Sequence, residues 1–353
     1  MTFEIHKLQG ARRAVQLTVI FAMLLVPAIS RYANYVAADE IDEQIEGWEG
    51  SVQGSTIAIL DSAFRSLPNG EMKREGLDVS ERDTQGVIRH TQAFRGGPWS
   101  AELFGVSVTD PLGGLESIIA RKHVAAVLAL SLVVPVILTL IFGRVFCSWI
   151  CPMGFILEMS DKLRNLLKFL EIKPFNIRFH RGTKFSLLAI GLFSTAILSV
   201  PILGYIYPPA MISREFHDLI FTLFDRAEAG FLGWSFVGLT WMSLILLGII
   251  LFEVFVSRRW WCRYVCPGGG VYIVLGMKRP IRVKLLESKC TRCVDCVVAC
   301  PMGLNPMNNQ MGTECDNCGA CISSCHDDAL KFSFALNDVS EKKSQPIAIP
   351  VLK

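Results

Sequence analysis

A polytopic α-helical membrane protein, with four transmembrane helices and a C-terminal α+β domain built on metal-bound cysteines, is the fold class that the sequence predicts. Three observations predict it. Hydrophobic residues make up 51% of the chain and the mean hydropathy is +0.40, with long apolar runs poor in charge, as in chains that cross a bilayer. Basic residues collect on one side of those runs. All twelve cysteines fall after residue 146, each in a short-spaced motif, so none is left for a disulfide framework. Thiols used in this way are metal ligands kept in a reducing compartment, which puts the cysteine-bearing parts on the cytoplasmic face. The formal charge of +3 offers no basic excess, and no nucleic-acid partner is expected.

Residues 1–38 read as a cytoplasmic N-terminus and the first span. Arg12 and Arg13 precede an apolar run over residues 14–38, interrupted by Pro27 and Arg31. A basic start and small residues at Ala37 and Ala38 also fit a cleavable signal sequence. A retained helix is favoured, because the flank beyond Pro27 stays mildly apolar. Residues 39–123 read as an exported, periplasmic segment, polar and acidic, with turn punctuation at Pro68-Asn69-Gly70 and Gly96-Gly97-Pro98. Residues 52–60 suggest a strand and 94–108 a turn followed by another. Gly54-Ser55-Thr56 is a poor match to a flavin attachment sequence, so this segment is expected to cap the protein or to dock a partner.

Residues 124–280 hold three further runs, 124–142, 185–206 and 231–256, each long enough for a hydrocarbon layer of about 30 Å. The loop 143–184 carries eight Lys and Arg against three acids, so the positive-inside rule makes it cytoplasmic. The flank Ser257-Arg258-Arg259 says the same, while the loop 207–230 has more acids than bases. Both termini are therefore expected in the cytoplasm of a bacterial cell, on the inner face of its inner membrane. A repeat sits at the inner ends of the second and fourth spans. Arg144, Cys147, Cys151-Pro152 and Gly154 match Arg259, Cys262, Cys266-Pro267 and Gly269 in a shared pattern R-x2-C-x3-C-P-x-G. On a helix, i and i+4 share a face, so each motif is expected to present a thiol pair, and two pairs together would make a redox or metal site. Free cysteines are often small core residues, but packing alone does not require the Arg, both Cys, the Pro and the Gly to recur in register.

Residues 281–330 contain Cys290, Cys293, Cys296 and Cys300-Pro301, then Cys315, Cys318, Cys321 and Cys325. Each half is a C-x2-C-x2-C-x3-C run, the bacterial ferredoxin spacing, in which three thiolates hold one cubane and the fourth crosses to its neighbour. Two [4Fe–4S] clusters follow, one on Cys290, Cys293, Cys296 and Cys325, the other on Cys315, Cys318, Cys321 and Cys300. A pair of zinc knots would use two Cys pairs per ion and needs no tandem quartets. His326 stands where a second C-P proline would be, and reads as a surface or supporting residue. Residues 331–353 form a tail without pattern.

With these motifs in hand, the chain resembles the NapH/MauN group of ferredoxin-type membrane proteins. The resemblance rests on both C-x3-C-P motifs, the four spans, Ser107-Val108-Thr109-Asp110-Pro111-Leu112 before the second span and the double ferredoxin run. It implies a quinol dehydrogenase membrane component that passes electrons from the membrane quinone pool through [4Fe–4S] clusters to a ferredoxin-type or cytochrome partner subunit of a periplasmic respiratory system. An assembly or maturation factor, reducing a metal or thiol in another enzyme, is the alternative. The segment 39–104 is longer than the group leads one to expect.

Quinol oxidation needs a proton acceptor. No span carries paired histidines for a b-type haem, since His123, His180 and His217 lie at edges or in loops. Electrons taken at the exported face would lack a carrier inward, so the quinol site is expected near the inner face. Glu253, the acid inside the last span, is the catalytic candidate, against a plainer reading as an interfacial carboxylate paired with Arg258 or Arg259. Asp110, His123 and His217 are rivals on the exported side. Trp149, Trp260 and Trp261 are expected to anchor at the interface.

Overall fold

The computed structural model describes residues 2–37, 101–103, 106–172, 174–225, 241–309 and 311–334, with single positions at 55, 59 and 62. In chain order the elements are α1 (Thr2–Ala37), β1 (Ala101–Leu103), β2 (Val106–Val108), α2 (Pro111–Arg121), α3 (Ala126–Phe142), α4 (Val145–Trp149), α5 (Pro152–Phe169), α6 (Thr183–Leu198), α7 (Leu203–Ile206), α8 (Pro208–Asp225) and α9 (Trp241–Phe255). A π-helical turn (Trp261–Val265), α10 (Pro267–Leu275), β3 (Ile281–Leu285), α11 (Asp295–Ala299), α12 (Ala320–Ser323) and β4 (Leu330–Phe334) complete it. The chain divides into two compact units. The first comprises Met1–Leu17, Ser107–Tyr207 and Gly248–Lys353, and the second Thr18–Val106 and Pro208–Leu247.

Among the described residues, no helix is long and apolar enough to cross a membrane. The apolar helices are shorter than the runs that contain them. At about 1.5 Å per residue, the 17 residues of α3 reach about 26 Å, short of a hydrocarbon layer of about 30 Å. The run 185–206 is broken, because α6 ends at Ser199 in the left-handed conformation and Pro201 follows, before α7 resumes at Leu203. Of the run 231–256, residues 231–240 lie outside the described residues, and α9 begins at Trp241. The first run lies within α1, which continues through Pro27.

These helices are nevertheless built inside out. The buried positions of α3 are Ser131, Pro135 and Thr139, while Val127, Leu130, Val134 and Ile137 are exposed. In α6, Lys184, Gly191 and Thr195 are buried, and Ile190, Phe193 and Ile197 face outward. A helix of a soluble core does the reverse.

Capping explains where α2 starts. Asp110 Oδ2 accepts the backbone N–H groups of Leu112 and Gly113, both at 3.1 Å, and Pro111 takes the first helical position, where its missing N–H costs nothing. In the C-terminal domain, β3 and β4 pair antiparallel from Ile281 opposite Phe334 to Leu285 opposite Leu330, so the two ends of the domain close on each other. Val283, Met307, Met311, Ile322 and Leu330 form its core together with Cys296, Cys315 and Cys321.

The second unit holds the rest of α1, β1, α8 and the start of α9. Met23, Ala28, Ala210, Met211 and Ile212 are buried there, and Ser243 donates to Glu215. Strands β1 and β2 pair as a two-stranded sheet within the stretch 94–108. Within 52–60, where a strand was expected, Ser55 and Ile59 are helical. The rest of residues 39–100, expected to be exported, and the tail from 335 to 353 lie outside the described residues.

Candidate functional site

Two cavities in the C-terminal domain are walled by cysteines. One is lined by Cys300, Cys315, Cys318 and Cys321 with Val283 and Met311. The other is lined by Cys290, Cys293, Cys296 and Cys325 with Leu285 and Met307. Each cavity therefore takes its fourth thiol from the other half of the motif, as the cross-over rule would have it. Among the described residues, no three His, Cys, Asp or Glu side chains converge where a single ion would sit. A [4Fe–4S] cluster would make a different demand, one thiolate to each of four irons, so its ligands would stand apart around a volume rather than converge on a point. Burial pushes the Cys296 and Cys315 thiols up to about 11. Four thiolates in such a cavity would need the positive charge of iron, which deprotonates a coordinating thiol.

The two halves repeat in backbone as well as in sequence. Arg292 and Asn317, each just before the second cysteine, have positive φ, as do Val294 and Gly319 just after it and Gly303 and Asp328 three residues past the fourth. For Gly319 that conformation is free, whereas for β-branched Val294 at φ 71° it is strained. The repeated turns aim equivalent N–H groups at sulfur: Leu304 N–H donates to Cys300 Sγ and Ala329 N–H to Cys325 Sγ, both at 3.3 Å. Such bonds are one of the means by which a protein sets a cluster's potential. His326 lies on the surface, 82% exposed and 3.7 Å from Asp295.

At the C-x3-C-P motifs the expected thiol pair on one helical face does not form. The chain leaves the helix at the second cysteine of each motif. Cys151 (φ −61°, ψ 120°) and Cys266 (φ −56°, ψ 113°) are extended, because the proline that follows disfavours the helical conformation of its predecessor. The first thiol of each pair thus sits in a short turn, α4 for Cys147 and the π-helical turn for Cys262. The second begins the next helix, α5 for Cys151 and α10 for Cys266, where Gly269 N–H donates to Cys266 Sγ at 3.4 Å. The pairs still meet. Cys151 feels the charge of Cys147 and Cys266, Cys262 that of Cys266 and Cys151, and Cys266 that of Cys147. Burial pushes all four thiols up, Cys266 to about 12, and the Arg144 guanidinium works against it at Cys147.

The repeated arginines exchange partners. Arg144 Nη2 donates to the carbonyl of Cys262 at 3.3 Å, and Arg259 Nη1 to the carbonyl of Gly154 at 3.2 Å, so each motif's arginine holds the other motif. A Cβ at Gly154 would lie 2.5 Å from the Cys147 carbonyl, and one at Gly269 3.1 Å from Arg144 Nη2. The recurrence of Arg and Gly thus has a mechanical reason.

The ferredoxin domain rests on this thiol region through side-chain donors that reach across to backbone carbonyls, most of them its own. Ser148 Oγ donates to the Asp316 carbonyl at 2.8 Å, Arg279 Nη1 to Cys315 at 2.8 Å, Asn317 Nδ2 to Phe142 at 2.8 Å and Gln9 Nε2 to Cys318 at 3.0 Å. Arg263 Nε reaches the Pro301 carbonyl at 3.1 Å. These contacts fall on or beside the cysteines of the cavity lined by Cys300, Cys315, Cys318 and Cys321, which is therefore proximal to the thiol repeat, while the other cavity is distal and includes exposed Cys293. Glu314, next to Cys315, accepts from Arg144 Nη1 at 3.0 Å and from Lys184 Nζ at 2.6 Å, with both cations fully buried. Nothing in the sequence motif pointed to Glu314 or Lys184, which lie 130 positions apart.

Glu253 is buried and its carboxylate accepts the N–H groups of Trp260 at 2.9 Å and Trp261 at 2.7 Å. It does not pair with Arg258 or Arg259, whose partner is Asp161 at 2.9 and 3.1 Å. Trp261 is buried rather than interfacial. Asp110 was placed by sequence on the exported side, yet its Oδ1 accepts from Tyr207 at 3.2 Å and from Tyr272, in the helix after Cys266, at 2.8 Å. His217 is buried and His123 exposed.

Comparison with known proteins adds the following. A family model described as a 4Fe-4S binding domain matches residues 124–169 and 238–285, the two stretches that carry the C-x3-C-P motifs. The chain is 27% identical over 240 residues to the ferredoxin-type protein NapH of Haemophilus influenzae, covering 65% of this chain and 76% of that one. It is 28% identical over 261 residues to the ferredoxin-type protein NapH of Escherichia coli, with 67% and 83% covered. The methylamine utilization ferredoxin-type protein MauN of Paracoccus denitrificans is 32% identical over 234 residues, 66% of each chain. No solved structure matches.

Proposed function

The chain belongs to the family of the ferredoxin-type proteins NapH and MauN, iron–sulfur proteins of electron transfer, and from that premise we propose that it is a membrane subunit that oxidises quinol and hands the electrons to a partner redox protein. The observation that carries this reading is the stacking of two cysteine-walled cavities on a helical base whose outward face is apolar. Lipid around α3 and α6 accounts for the inside-out burial, and basic residues in 143–184 orient both termini to the cytoplasm.

The [4Fe–4S] clusters, when bound, supply one-electron carriers. Cys300, Cys315, Cys318 and Cys321 hold the proximal one, and Cys290, Cys293, Cys296 and Cys325 the distal one. Cys147, Cys151, Cys262 and Cys266 form a further redox site between the membrane and the ferredoxin domain. Oxidation of one quinol releases two electrons and two protons. Glu253 is the proposed proton acceptor: two of its roughly four acceptor positions hold N–H groups, which leaves capacity for a proton. The surface around exposed Cys293 is where a ferredoxin-type or cytochrome subunit would take electrons.

The thiol repeat also suits a maturation factor that reduces a metal or thiol in another enzyme. Cells with and without the protein separate the two readings. A quinone pool that becomes more oxidised when the protein is present supports quinol oxidation; an unchanged pool beside a partner enzyme left unmatured in the deletion strain overturns it.

A further inference from the structure

We propose that α5 and residues 174–179 beyond it lie in the interface of the cytoplasmic leaflet, with their apolar side among the acyl chains and their basic side chains on anionic phospholipid headgroups. The inference rests on the reading of the chain as a membrane subunit, and it takes part of the basic loop 143–184 out of water and into the bilayer surface.

The helix α5 has two faces. Met153, Leu157, Ser160 and Arg164 are buried, at positions that share one side of a helix. Met159, Leu163 and Leu166, with Leu170 just past the helix end, recur at the same intervals on another side and are exposed. The buried side is held by this chain: Arg164 Nη1 donates to the carbonyls of Glu253 and Val254 at 2.7 and 2.9 Å, and Nη2 to that of Phe175 at 2.6 Å. The apolar side is left over. Phe169 and Phe175 extend it, 83% and 72% exposed. So many large apolar side chains together on a surface mark an interaction site.

The depth of this surface follows from α9. Phe175 N–H donates to the Phe255 carbonyl at 2.8 Å and Ile177 N–H to that of Val256 at 3.1 Å, while Ser257 Oγ donates to the Ile177 carbonyl at 2.7 Å. Residues 175–177 therefore run beside the inner end of α9, next to Arg258 and Arg259, where an apolar helix leaves the hydrocarbon for the headgroups. Charge then names the lipid. Lys162, Lys168 and Arg178 are exposed in this stretch, against exposed Glu171. Its other acids, Glu158 and Asp161, are taken up by Arg12 and Arg13 and by Arg258 and Arg259. A helix with one apolar side and basic side chains elsewhere lies in the plane of the interface and favours anionic lipid. The long lysine stems let the ammonium groups reach the headgroups and water.

Position gives the surface a use. The Phe179 ring lies 6.3 Å from Phe252 and 6.2 Å from Trp260, and the Glu253 carboxylate accepts the Trp260 N–H. A quinol moving through the inner leaflet along this surface would arrive at the aromatic group beside Glu253.

The test uses the full-length protein in nanodiscs of equal parts phosphatidylglycerol and phosphatidylcholine, one of the two carrying a photoactivatable diazirine on its acyl chain, with labelled peptides read by mass spectrometry. Carbene adducts are expected on Leu166, Phe169 and Phe175 as well as on Val134 and Ile137 of α3. Those on α5 should be at least about fivefold stronger when phosphatidylglycerol carries the probe, the preference that one basic residue near an anionic surface confers. Adducts on α3 with none on Leu166, Phe169 or Phe175 overturn the proposal, leave the membrane reading intact and give the surface to a protein partner. No adducts on either overturn both. Equal adducts from the two lipids overturn the assignment to anionic lipid. Lys162→Gln/Lys168→Gln/Arg178→Gln, which changes exposed side chains alone, should bring the two lipids to parity on α5 while the α3 adducts stay unchanged.

Discussion

Gly154 has no space for a methyl group, since its Cβ would meet the Cys147 backbone carbonyl at 2.5 Å. Gly154→Ala is therefore expected to cost about 1–3 kcal/mol by overpacking and to disturb Cys147, whereas Gly10→Ala, with nothing within 4 Å in a helix, should gain about 0.5–1 kcal/mol. Thermal unfolding of both variants in detergent checks the opposed signs. Glu253→Gln keeps one oxygen for the N–H of Trp260 or Trp261 but cannot take a proton. Quinol-driven cluster reduction should fall at least about a hundredfold, the low end of what a positioned acid–base group contributes, while dithionite still reduces the clusters fully. An unchanged quinol rate would leave Glu253 as a cap alone. At this scale the eight cysteines that line the two cavities were legible because thiol spacing is itself a motif. Glu314, Lys184 and Tyr272 were not, because a buried partner is recognised by what the fold brings to it, and no local pattern encodes that.

Among the elements, α2 depends on one side chain. Asp110 accepts from two backbone N–H groups and two buried tyrosine hydroxyls. Asp110→Ala is expected to cost at least about 3 kcal/mol, from a lost cap of about 1 kcal/mol and orphaned buried hydroxyls at about 1–3 kcal/mol each; a melting shift of a degree or less would contradict that role. The apolar runs announced α3, α6 and α9 correctly in place but not in extent, since Ser199 and Pro201 end α6 early. The same physics corrected the thiol motifs. A C-P step forces the chain out of the helix, so i and i+4 spacing could not place both sulfurs on one face, and the geometry came instead from two helix starts and an exchange of arginines. That exchange was half legible: the repeat displayed both arginines, while the fact that each serves the opposite motif needed the fold.

For the whole molecule, the inside-out helices and the basic loop 143–184 predict one orientation. A membrane-impermeant amine reagent should leave Lys162 and Lys168 unmodified in intact cells and label them in inverted vesicles; labelling in intact cells would reverse the topology. The cross-over of cysteines predicts that Cys325→Ser disturbs the cluster of the first half and Cys300→Ser that of the second, each visible as loss of a different EPR signal. The double ferredoxin run made the domain, and the exchange of one cysteine between its two cavities, readable in advance, because the turns between the thiols have a constant length. The docking of that domain on the thiol repeat was not readable, since it uses carbonyls and scattered arginines.

The proposed passage of electrons from quinol into cysteine-bound clusters is open to spectroscopy on the isolated protein. The full-length protein is purified anaerobically in detergent, a menaquinol analogue is added, and EPR spectra are recorded before and after. Reduced-cluster signals that rise on quinol addition, toward the intensity dithionite produces, are the predicted result. Clusters that dithionite reduces and quinol leaves silent would contradict it and turn attention to the maturation role.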